Sequence, residues 1–440
     1  MNAASIQVTL REWEHLRPEQ NPLLRNLFLG PEFHGLARGL SEQRLLEIVE
    51  LRQGMSLRAF SHVGRVRLGP LDVIVQPKIK QTSLLNLLRY AYGFRKLELF
   101  AESHQRIEQL GFEDLLVHQL NAEVRELLSR GLRRNYVRKE ELLTSPRGRI
   151  DIQQIATAGG VVTAKLPCTH FSRIDDSLLN RVLLAGVQLA ASITTDITLR
   201  RDSHRLALAL EESVTTLSLN ASILDRVAIG LNRMTATYDS AISLIRLLWE
   251  SQGVSFAGTD SPIRISGFLF DMNRFFQALL ARFLGDHLRP YQVKEEQGLT
   301  GMMKYATGFN PCNHRTSSPR PDFVILDGNQ AVALLDAKYR DLWEFPIPRE
   351  MLYQLAIYAS VDSHRVATIL YPSNDRTASE SRIDVRHPVT RIGIAQIRLR
   401  PVSLGRMEEL IASIRSSFAA RERVQYAHWL AFGNENPNHP

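Results

Sequence analysis

The stretch SPRPDFVILDGNQAVALLDAKYRD, residues 318–341, holds two short apolar runs separated by DGNQ. Asp, Gly and Asn between two apolar runs are a strong local signal for a tight turn, so the stretch predicts a β-hairpin. With the turn centred near Asn329, the numbers of facing residues sum to 658, or to within one or two of that value. Asp322 then lies across from Asp336.

Three charged side chains gather at the open end of this predicted hairpin. Because strand side chains alternate between faces, Asp336 and Lys338 project from one face, at the end where Asp322 lies. Two close carboxylates repel unless a cation lies between them, and Mg²⁺ binds one or two carboxylates together with water and phosphate. A lysine beside the ion can orient a water or neutralise charge on a phosphate. The pattern suggests phosphodiester hydrolysis, although most Asp-x-Lys sequences are surface ion pairs.

The neighbouring segments predict the order helix, hairpin, helix, strand. Residues 267–288 are strongly apolar and predict the first helix. The second helix is predicted at residues 349–360. Pro346 and Pro348 come just before it, and proline is common in the first turn of a helix. Gln354 and Tyr358 are four residues apart and share one face of that helix. Residues 365–372, RVATILYP, predict a buried strand.

These residues resemble the PD-(D/E)xK nuclease superfamily, with Pro321-Asp322, Asp336-Ala337-Lys338 and Gln354-x-x-x-Tyr358. More narrowly, the chain resembles the McrC family, the nuclease subunit of McrBC-type 5-methylcytosine restriction systems. The stretches that carry this resemblance are VGRVRLGPLDVIVQPKI (63–79), GLRRNYVRKEELLTSPRGRID (131–151), DDSLLNRVLLAG (175–186) and FDMNRFFQALL (270–280).

The resemblance implies a DNA endonuclease that uses Mg²⁺ or Mn²⁺. Asp322 and Asp336 would hold the metal, and Lys338 would position or activate water and support the transition state. Gln354 and Tyr358 would orient the DNA strand or the lysine.

One position departs from the superfamily pattern. Such nucleases often carry a glutamate on the first core helix, and the matching place here is Gln277. An amide is a poorer metal ligand than a carboxylate, and no acidic residue obviously shares its helical face. We therefore expect at most one well-held metal, bound by Asp322 and Asp336.

The resemblance also implies a partner. The N-terminal region of McrC-like proteins is similar to a docking module that engages a ring of AAA+ GTPase subunits, McrB, and stimulates its hydrolysis. Because this sequence lacks G-x-x-x-x-G-K-[ST], we expect the motor to be another chain. It also lacks zinc-finger spacing and an obvious base-reading module, so we expect that partner to recognise modified cytosine in double-stranded DNA.

Positive charge is concentrated near the N-terminus. The formal net charge is +8, and residues 51–100 contain nine Lys or Arg and two Asp or Glu. Arg65 and Arg67 alternate along one strand of a hairpin predicted at residues 63–78, with its turn at Gly69-Pro70. Such a hairpin can contact nucleic acid or an acidic protein surface, or be a solvated edge strand whose charge prevents aggregation. The resemblance favours partner docking.

Composition is typical of a globular intracellular enzyme. The chain has 440 residues, of which 44% are hydrophobic and 23% charged, which predicts two or three packed domains. Its two cysteines, Cys168 and Cys312, are too few for a disulfide framework or a zinc cluster. No signal peptide is recognisable, and no apolar run approaches the roughly 18 residues that span a bilayer. We therefore expect a cytoplasmic protein without membrane contact.

The predicted fold class is mixed α+β with several domains. We expect an N-terminal partner-docking region with a basic β-hairpin at residues 1–145 and a mainly helical connector at 146–255. A PD-(D/E)xK nuclease core of helix, mixed sheet and helix is predicted at 256–400, and a helical tail at 401–440.

Two functions remain open at this stage. The first is a metal-dependent endonuclease subunit of a modification-dependent restriction system, a defence against foreign DNA, activated by and stimulating an AAA+ GTPase. The second is an inactive adaptor whose nuclease fold has decayed at Gln277 and which bridges and regulates an NTPase motor on DNA. The retained Asp322, Asp336 and Lys338 favour the enzyme.

Overall fold

The chain divides into two compact units, each rich in both helices and strands. The computed structural model describes residues 6–94, 110–157, 159–160, 164–252, 266–300, 302–316, 318–375, 377–390, 392–414 and 418–433. Unit 1 comprises Met1–Lys96 and Phe270–Pro440, and unit 2 comprises Leu97–Leu269. The mixed multidomain fold class is confirmed at this level.

The limits of the two units differ from the predicted divisions at residues 145, 255 and 400. Unit 1 is assembled from both ends of the chain, whereas each predicted region was continuous in sequence. Residues 256–265, where the predicted nuclease domain begins, lie outside the described residues.

The N-terminal part of unit 1 contains two small sheets and two helices among its described residues. Its elements are β1 Ile6–Arg11, β2 His15–Leu16, α1 Pro31–Glu42, β3 Leu46–Leu51, β4 Gly54–Ala59, β5 His62–Leu68, β6 Leu71–Gln76 and α2 Gln81–Tyr92. Strand β6 lies between β1, to which it is parallel, and β5, to which it is antiparallel. The predicted basic hairpin is confirmed as β5 and β6, with its turn at Gly69-Pro70.

Unit 2 is mainly helical beyond a three-stranded sheet in which β9 lies between β7 and β8. Its elements are α3 Phe112–Arg130, β7 Asn135–Leu143, β8 Arg149–Ile150, α4 Ile152–Thr157, β9 Leu166–Ile174, α5 Leu178–Ile193, α6 Ile197–Glu211, α7 Ala221–Gly230 and α8 Asp239–Glu250. None of the described helices in either unit is long and apolar enough to cross a membrane.

The C-terminal part of unit 1 contains a six-stranded mixed sheet in the order β11-β12-β13-β14-β16-β15. Strand β10, Ser266–Asp271, crosses the sequence boundary at Phe270. The elements after it are α9 Met272–His287, β11 Gln292–Glu295, β12 Phe323–Asp327, β13 Gln330–Ala337, α10 Arg349–Val361, β14 Val366–Ser373, β15 Ser381–Arg386, β16 Gly393–Ser403, α11 Leu404–Ala412 and α12 Phe418–Phe432. The predicted order of helix, hairpin, helix and strand is present.

The first of these helices is shorter than predicted. The apolar stretch from residue 267 begins as strand β10, and α9 starts only at Met272. The Asp271 side chain accepts a hydrogen bond from the Asn273 N–H at 2.9 Å, which caps the helix and fixes where it begins. A continuous apolar run did not reveal this change from strand to helix.

Helix α10 covers one face of the mixed sheet. It begins directly after Pro348, whose fixed φ suits a helix start. Leu355, Tyr358 and Ala359 are buried against strand residues such as Leu334. Each fully buried large apolar side chain contributes about 1.5–3 kcal/mol, so this packing fixes the helix on the sheet.

The hairpin formed by β12 and β13 has the predicted register at its open end, where the charged residues of the site lie. Phe323 lies opposite Leu335, so their numbers sum to 658 as predicted. Beyond Ile325 the register shifts by one, and the hairpin closes on the two-residue turn Gly328-Asn329. Gly328 has φ +58°, a left-handed conformation that glycine adopts without strain.

Candidate active site

The hairpin brings the three predicted charged side chains together. Asp322 immediately precedes β12, Asp336 is the second-last residue of β13, and Lys338 immediately follows β13. Lys338 Nζ is 3.1 Å from Asp336 Oδ2 and 3.7 Å from Asp322 Oδ2. One ammonium group therefore faces two carboxylates.

Backbone hydrogen bonds fix this cluster in place. The Ala337 N–H donates to Asp322 Oδ2 at 2.7 Å, which ties the first carboxylate to the second strand. The Lys338 N–H donates to the Leu370 carbonyl at 3.0 Å, so β14 supports the strand end that carries the lysine. Side chains held by regular strands keep their geometry better than side chains on loops.

Burial distinguishes this cluster from a surface ion pair. The Asp336 side chain is 3% exposed, Asp322 15% and Lys338 25%. Burial, followed by the charge of Asp322, raises the pKa of Asp336 to about 6, although Lys338 acts to lower it. Burial alone would lower the pKa of Lys338, but Asp336 and Asp322 outweigh it and raise that pKa. The lysine therefore stays protonated, and ionising both carboxylates leaves a surplus negative charge.

The donor atoms fit one divalent ion. Asp336 Oδ1 is buried and has no hydrogen-bond partner among the described residues. Leaving such an acceptor unsatisfied costs about 1–3 kcal/mol, a cost that a bound cation would remove. The described part of the chain contains no group of three or more His, Cys, Asp or Glu side chains placed to hold a metal. The chain would therefore supply two carboxylates, and water and phosphate the remaining ligands, as Mg²⁺ prefers.

The predicted pair on α10 is hydrogen-bonded. Gln354 Nε2 donates to the Tyr358 hydroxyl oxygen at 2.8 Å. Burial raises the pKa of Tyr358, the Gln354 hydrogen bond lowers it, and the charges of Asp336 and Asp322 raise it further. Tyr358 is buried in the apolar cluster between α10 and the sheet, and its hydroxyl is held by Gln354.

Sequence reasoning gave no role to Asn273, which lies on α9 beside the site. Its Oδ1 accepts a hydrogen bond from the Tyr339 N–H at 3.2 Å, one residue beyond Lys338. Gln277 lies one turn further along the same helix and is partly buried. The available signal was this spacing of four residues, which puts an amide side chain on the same face as Gln277.

Comparison with known proteins identifies the family. Residues 57–372 match the sequence model of the McrBC 5-methylcytosine restriction system component family. The chain belongs to this McrBC family. A search of the curated proteins found no significant match.

Two solved structures are similar to this McrBC family member. One is a chain of the refined half-complex from the tetradecameric assembly of Thermococcus gammatolerans McrB AAA+ hexamers with bound McrC. It has a TM-score of 0.60 and 19% identity, and the match covers 96% of this chain and 99% of that chain. The other belongs to the cryo-EM structure of the Thermococcus gammatolerans McrBC complex, with a TM-score of 0.45, 18% identity, and coverage of 65% and 89%. The first likeness shows a shared fold.

The basic hairpin of this McrBC family member is partly neutralised. Arg65 Nε donates to Asp72 Oδ1 at 2.7 Å, and Arg65 Nη2 donates to Asp72 Oδ2. Arg67 Nη2 lies 3.4 Å from the same carboxylate, and its side chain is 52% exposed. Burial alone would raise the pKa of Asp72, but Arg65 and Arg67 outweigh it and lower that pKa. Arg65 therefore balances a buried charge, and Arg67 is the more accessible of the two.

Proposed function

We propose that this McrBC family member is the nuclease subunit of its restriction system, a Mg²⁺-dependent DNA endonuclease of PD-(D/E)xK type. The observation that carries the proposal is the buried cluster of Asp322, Asp336 and Lys338 at one end of a single hairpin. An exposed ion pair would be worth about 0–1 kcal/mol and would need no burial. Burying three charged groups is costly, which favours a functional reason for keeping them.

Each residue has a role that its position supports. Asp322 and Asp336 would hold a divalent ion, Mg²⁺ or Mn²⁺, which when bound supplies positive charge that polarises the scissile phosphodiester. Lys338 keeps its proton at Nζ and orients the attacking water or stabilises negative charge developing on the phosphate oxygens. Tyr358, fixed by its hydrogen bond from Gln354, would orient the lysine. The buried side of the cluster strengthens these interactions because its dielectric constant is lower than that of water.

An inactive adaptor is the second candidate. The amide at Gln277 and the lack of a third acidic ligand among the described residues favour it. Such a protein would bind DNA and a motor chain without cutting. Against it, a decayed site has no need for Asp336, whose burial is costly without a bound cation.

The activator we propose is an AAA+ GTPase ring supplied by another chain. Support comes from the similar fold seen in an assembly of McrB AAA+ hexamers with bound McrC, and from the absence of a phosphate-binding loop sequence here. The substrate is double-stranded DNA with modified cytosine, as the family description suggests.

A plasmid cleavage assay tests the proposed function. Methylated and unmethylated plasmids are incubated with this protein, the cognate GTPase, GTP and Mg²⁺, and each component is then omitted in turn. We expect cleavage of the methylated plasmid only in the complete mixture, and none after chelation of Mg²⁺. Stimulated GTP hydrolysis without any cleavage would support the adaptor instead.

Metal binding gives a second expected outcome. Millimolar Mg²⁺ should raise the melting temperature of the wild-type protein, since a ligand at 100 times its Kd stabilises by about 2.7 kcal/mol. Asp336→Asn should abolish this rise because the amide is a poor Mg²⁺ ligand. Asp327→Asn, an exposed position on the same hairpin, is the matched control and should retain it. An equal rise in all three proteins would place the ion elsewhere.

Charge reversal on the basic hairpin tests partner docking. Arg67→Glu should weaken stimulation of the partner's GTP hydrolysis several-fold without unfolding the protein, because Arg67 is half exposed and Arg65 still pairs with Asp72. Arg65→Glu is less informative because it removes both hydrogen bonds that Arg65 donates to the buried Asp72 carboxylate, a loss that costs about 3–5 kcal/mol. Arg52→Glu reverses an exposed charge outside the hairpin and serves as the control. Unchanged stimulation by Arg67→Glu would argue against docking through this hairpin.

A further inference from the structure

Tyr339, the residue that follows Lys338, contacts the N-terminal part of unit 1 through its side chain. Tyr339 is buried, and its hydroxyl oxygen lies 3.5 Å from Glu12 Oε1. Its backbone N–H donates to Asn273 Oδ1 at 3.2 Å. Tyr339 is therefore anchored through both its side chain and its backbone, directly next to the lysine of the candidate site.

Further contacts extend this anchoring along the chain. The Arg340 guanidinium lies over the Trp13 ring at 5.5 Å from its centroid. Lys78 Nζ lies 3.3 Å from Glu344 Oε2 and 5.5 Å from the centroid of the Phe345 ring. The segment after Lys338 thus contacts N-terminal residues at several points.

The residues that hold this segment lie near the open end of the basic hairpin, which is the end opposite its Gly69-Pro70 turn and is called the hairpin base below. Ser61 immediately precedes β5, and its hydroxyl accepts a hydrogen bond from Asn273 Nδ2 at 2.6 Å. Lys78 follows the end of β6, and the Glu12 N–H donates to the Gln76 carbonyl at 3.2 Å. The turn of the hairpin lies close to Arg65 and Arg67. At the other end, both strands reach residues that contact the segment after Lys338. The hairpin spans about 20 Å, since each strand residue advances the chain by about 3.3 Å.

We propose that Glu12, Asn273 and Tyr339 are positioning residues that link the basic hairpin to Lys338. The inference rests on the proposed function and adds a route by which partner docking regulates cleavage. A displacement of the hairpin base shifts Ser61 and Glu12, and their hydrogen bonds pass the shift to Asn273 and Tyr339. Lys338 follows because it is bonded covalently to Tyr339.

The Glu12 carboxyl suits this position because it need not carry a charge. Glu12 is 1% exposed, and its Oε2 has no hydrogen-bond partner among the described residues. Burial raises the pKa of Glu12 to about 8, although Tyr339 and Lys78 act to lower it. A neutral carboxyl can exchange hydrogen bonds with the Tyr339 hydroxyl without placing another negative charge near Asp322 and Asp336.

Kinetics of three single variants and one double variant of the full chain test the link. With the partner, GTP and Mg²⁺ present, Glu12→Ala and Tyr339→Phe should each lower kcat for cleavage about ten-fold and change KM for DNA less than two-fold. Glu12→Gln should restore most of the rate, since an amide can still bond to the tyrosine. Combining Glu12→Ala with Tyr339→Phe should cost no more than either change alone, because both remove the same contact.

Two exposed positions provide matched controls. Glu19→Ala and Tyr353→Phe make the same chemical changes away from the contact and should leave kcat unchanged. Wild-type kcat in folded Glu12→Ala and Tyr339→Phe proteins would overturn the proposal. So would a rate loss that Glu12→Gln does not restore.

Hydrogen exchange tests the same link without relying on cleavage. The N–H groups of Lys338, Tyr339 and Arg340 all donate hydrogen bonds, to Leu370, Asn273 and Lys338 respectively, so their protection can be followed. Partner binding should change exchange at these amides in the wild type but not in Glu12→Ala. Identical responses in both proteins would overturn the link. If the wild type fails to cleave DNA, the proposed function fails, yet this measurement still decides whether the link exists.

Discussion

Replacing Lys338 with alanine is expected to lower the rate of DNA cleavage by about 10²- to 10³-fold, as the loss of one preorganised charge-stabilising donor does in other enzymes. The variant removes the ammonium group that lies 3.1 Å from Asp336 and 3.7 Å from Asp322. Without it, negative charge on the phosphate has one fewer stabilising partner. Single-turnover cleavage of methylated plasmid, with the partner, GTP and Mg²⁺ saturating, measures the effect.

The controls for this prediction separate chemistry from docking. Lys294→Ala removes an exposed lysine from β11 of the same sheet and should cleave at the wild-type rate. Lys338→Ala should still stimulate GTP hydrolysis, because Lys338 is distinct from the basic hairpin proposed to dock. Cleavage by Lys338→Ala at the wild-type rate would remove the catalytic role assigned to the lysine.

Changing Glu12 to Gln is expected to alter how stability depends on pH. The pKa of Glu12 is raised from 4.5 to about 8 in the folded protein, mainly by burial. Between these values the folded state binds more protons than the unfolded state, so the free energy of unfolding decreases as pH rises. The contribution is fully present below about pH 4.5 and is lost as pH passes through about 8. Glutamine cannot ionise, so Glu12→Gln should lack this contribution to the fall in the free energy of unfolding with rising pH.

The expected difference is large enough to measure by urea unfolding. Each unit of pKa change corresponds to about 1.4 kcal/mol. The free energy of unfolding of Glu12→Gln should therefore exceed that of the wild type by several kcal/mol near pH 8. The two proteins should differ little near pH 4.5. Glu19→Gln changes an exposed glutamate and should leave the pH dependence unaltered. Parallel pH curves for wild type and Glu12→Gln would show that Glu12 is ionised normally in the fold.

The site hairpin was predictable because its determinants are local. Alternating strand geometry and the DGN turn were sufficient to place Asp322, Asp336 and Lys338 at one end, and the pairing of Phe323 with Leu335 confirms that register. The one-residue shift near the turn was not predicted. It occurs beyond Ile325, away from the charged end, and therefore leaves the site unchanged.

Residues that support the site were harder to predict because they are distant in sequence. Glu12 and Tyr339 are 327 positions apart, and no local pattern relates them. The pairing of Arg65 and Arg67 with Asp72, by contrast, depends on residues close in sequence. The predicted Gly69-Pro70 turn already placed Arg67 opposite Asp72. Following that register across the strands would have revealed the ion pairs. The roles of Asp322, Asp336, Lys338, Gln354 and Tyr358 in cleavage stay predictions.

The central claim is that the carboxylates at the end of one hairpin bind the ion needed for cleavage. Anomalous diffraction from crystals soaked in millimolar Mn²⁺ tests it most directly, because manganese can be located without reference to activity. We expect one peak about 2 Å from a carboxylate oxygen of both Asp322 and Asp336, a distance typical of such hard divalent ions, and its loss in Asp336→Asn. A well-ordered hairpin with no peak between these two carboxylates would contradict the claim.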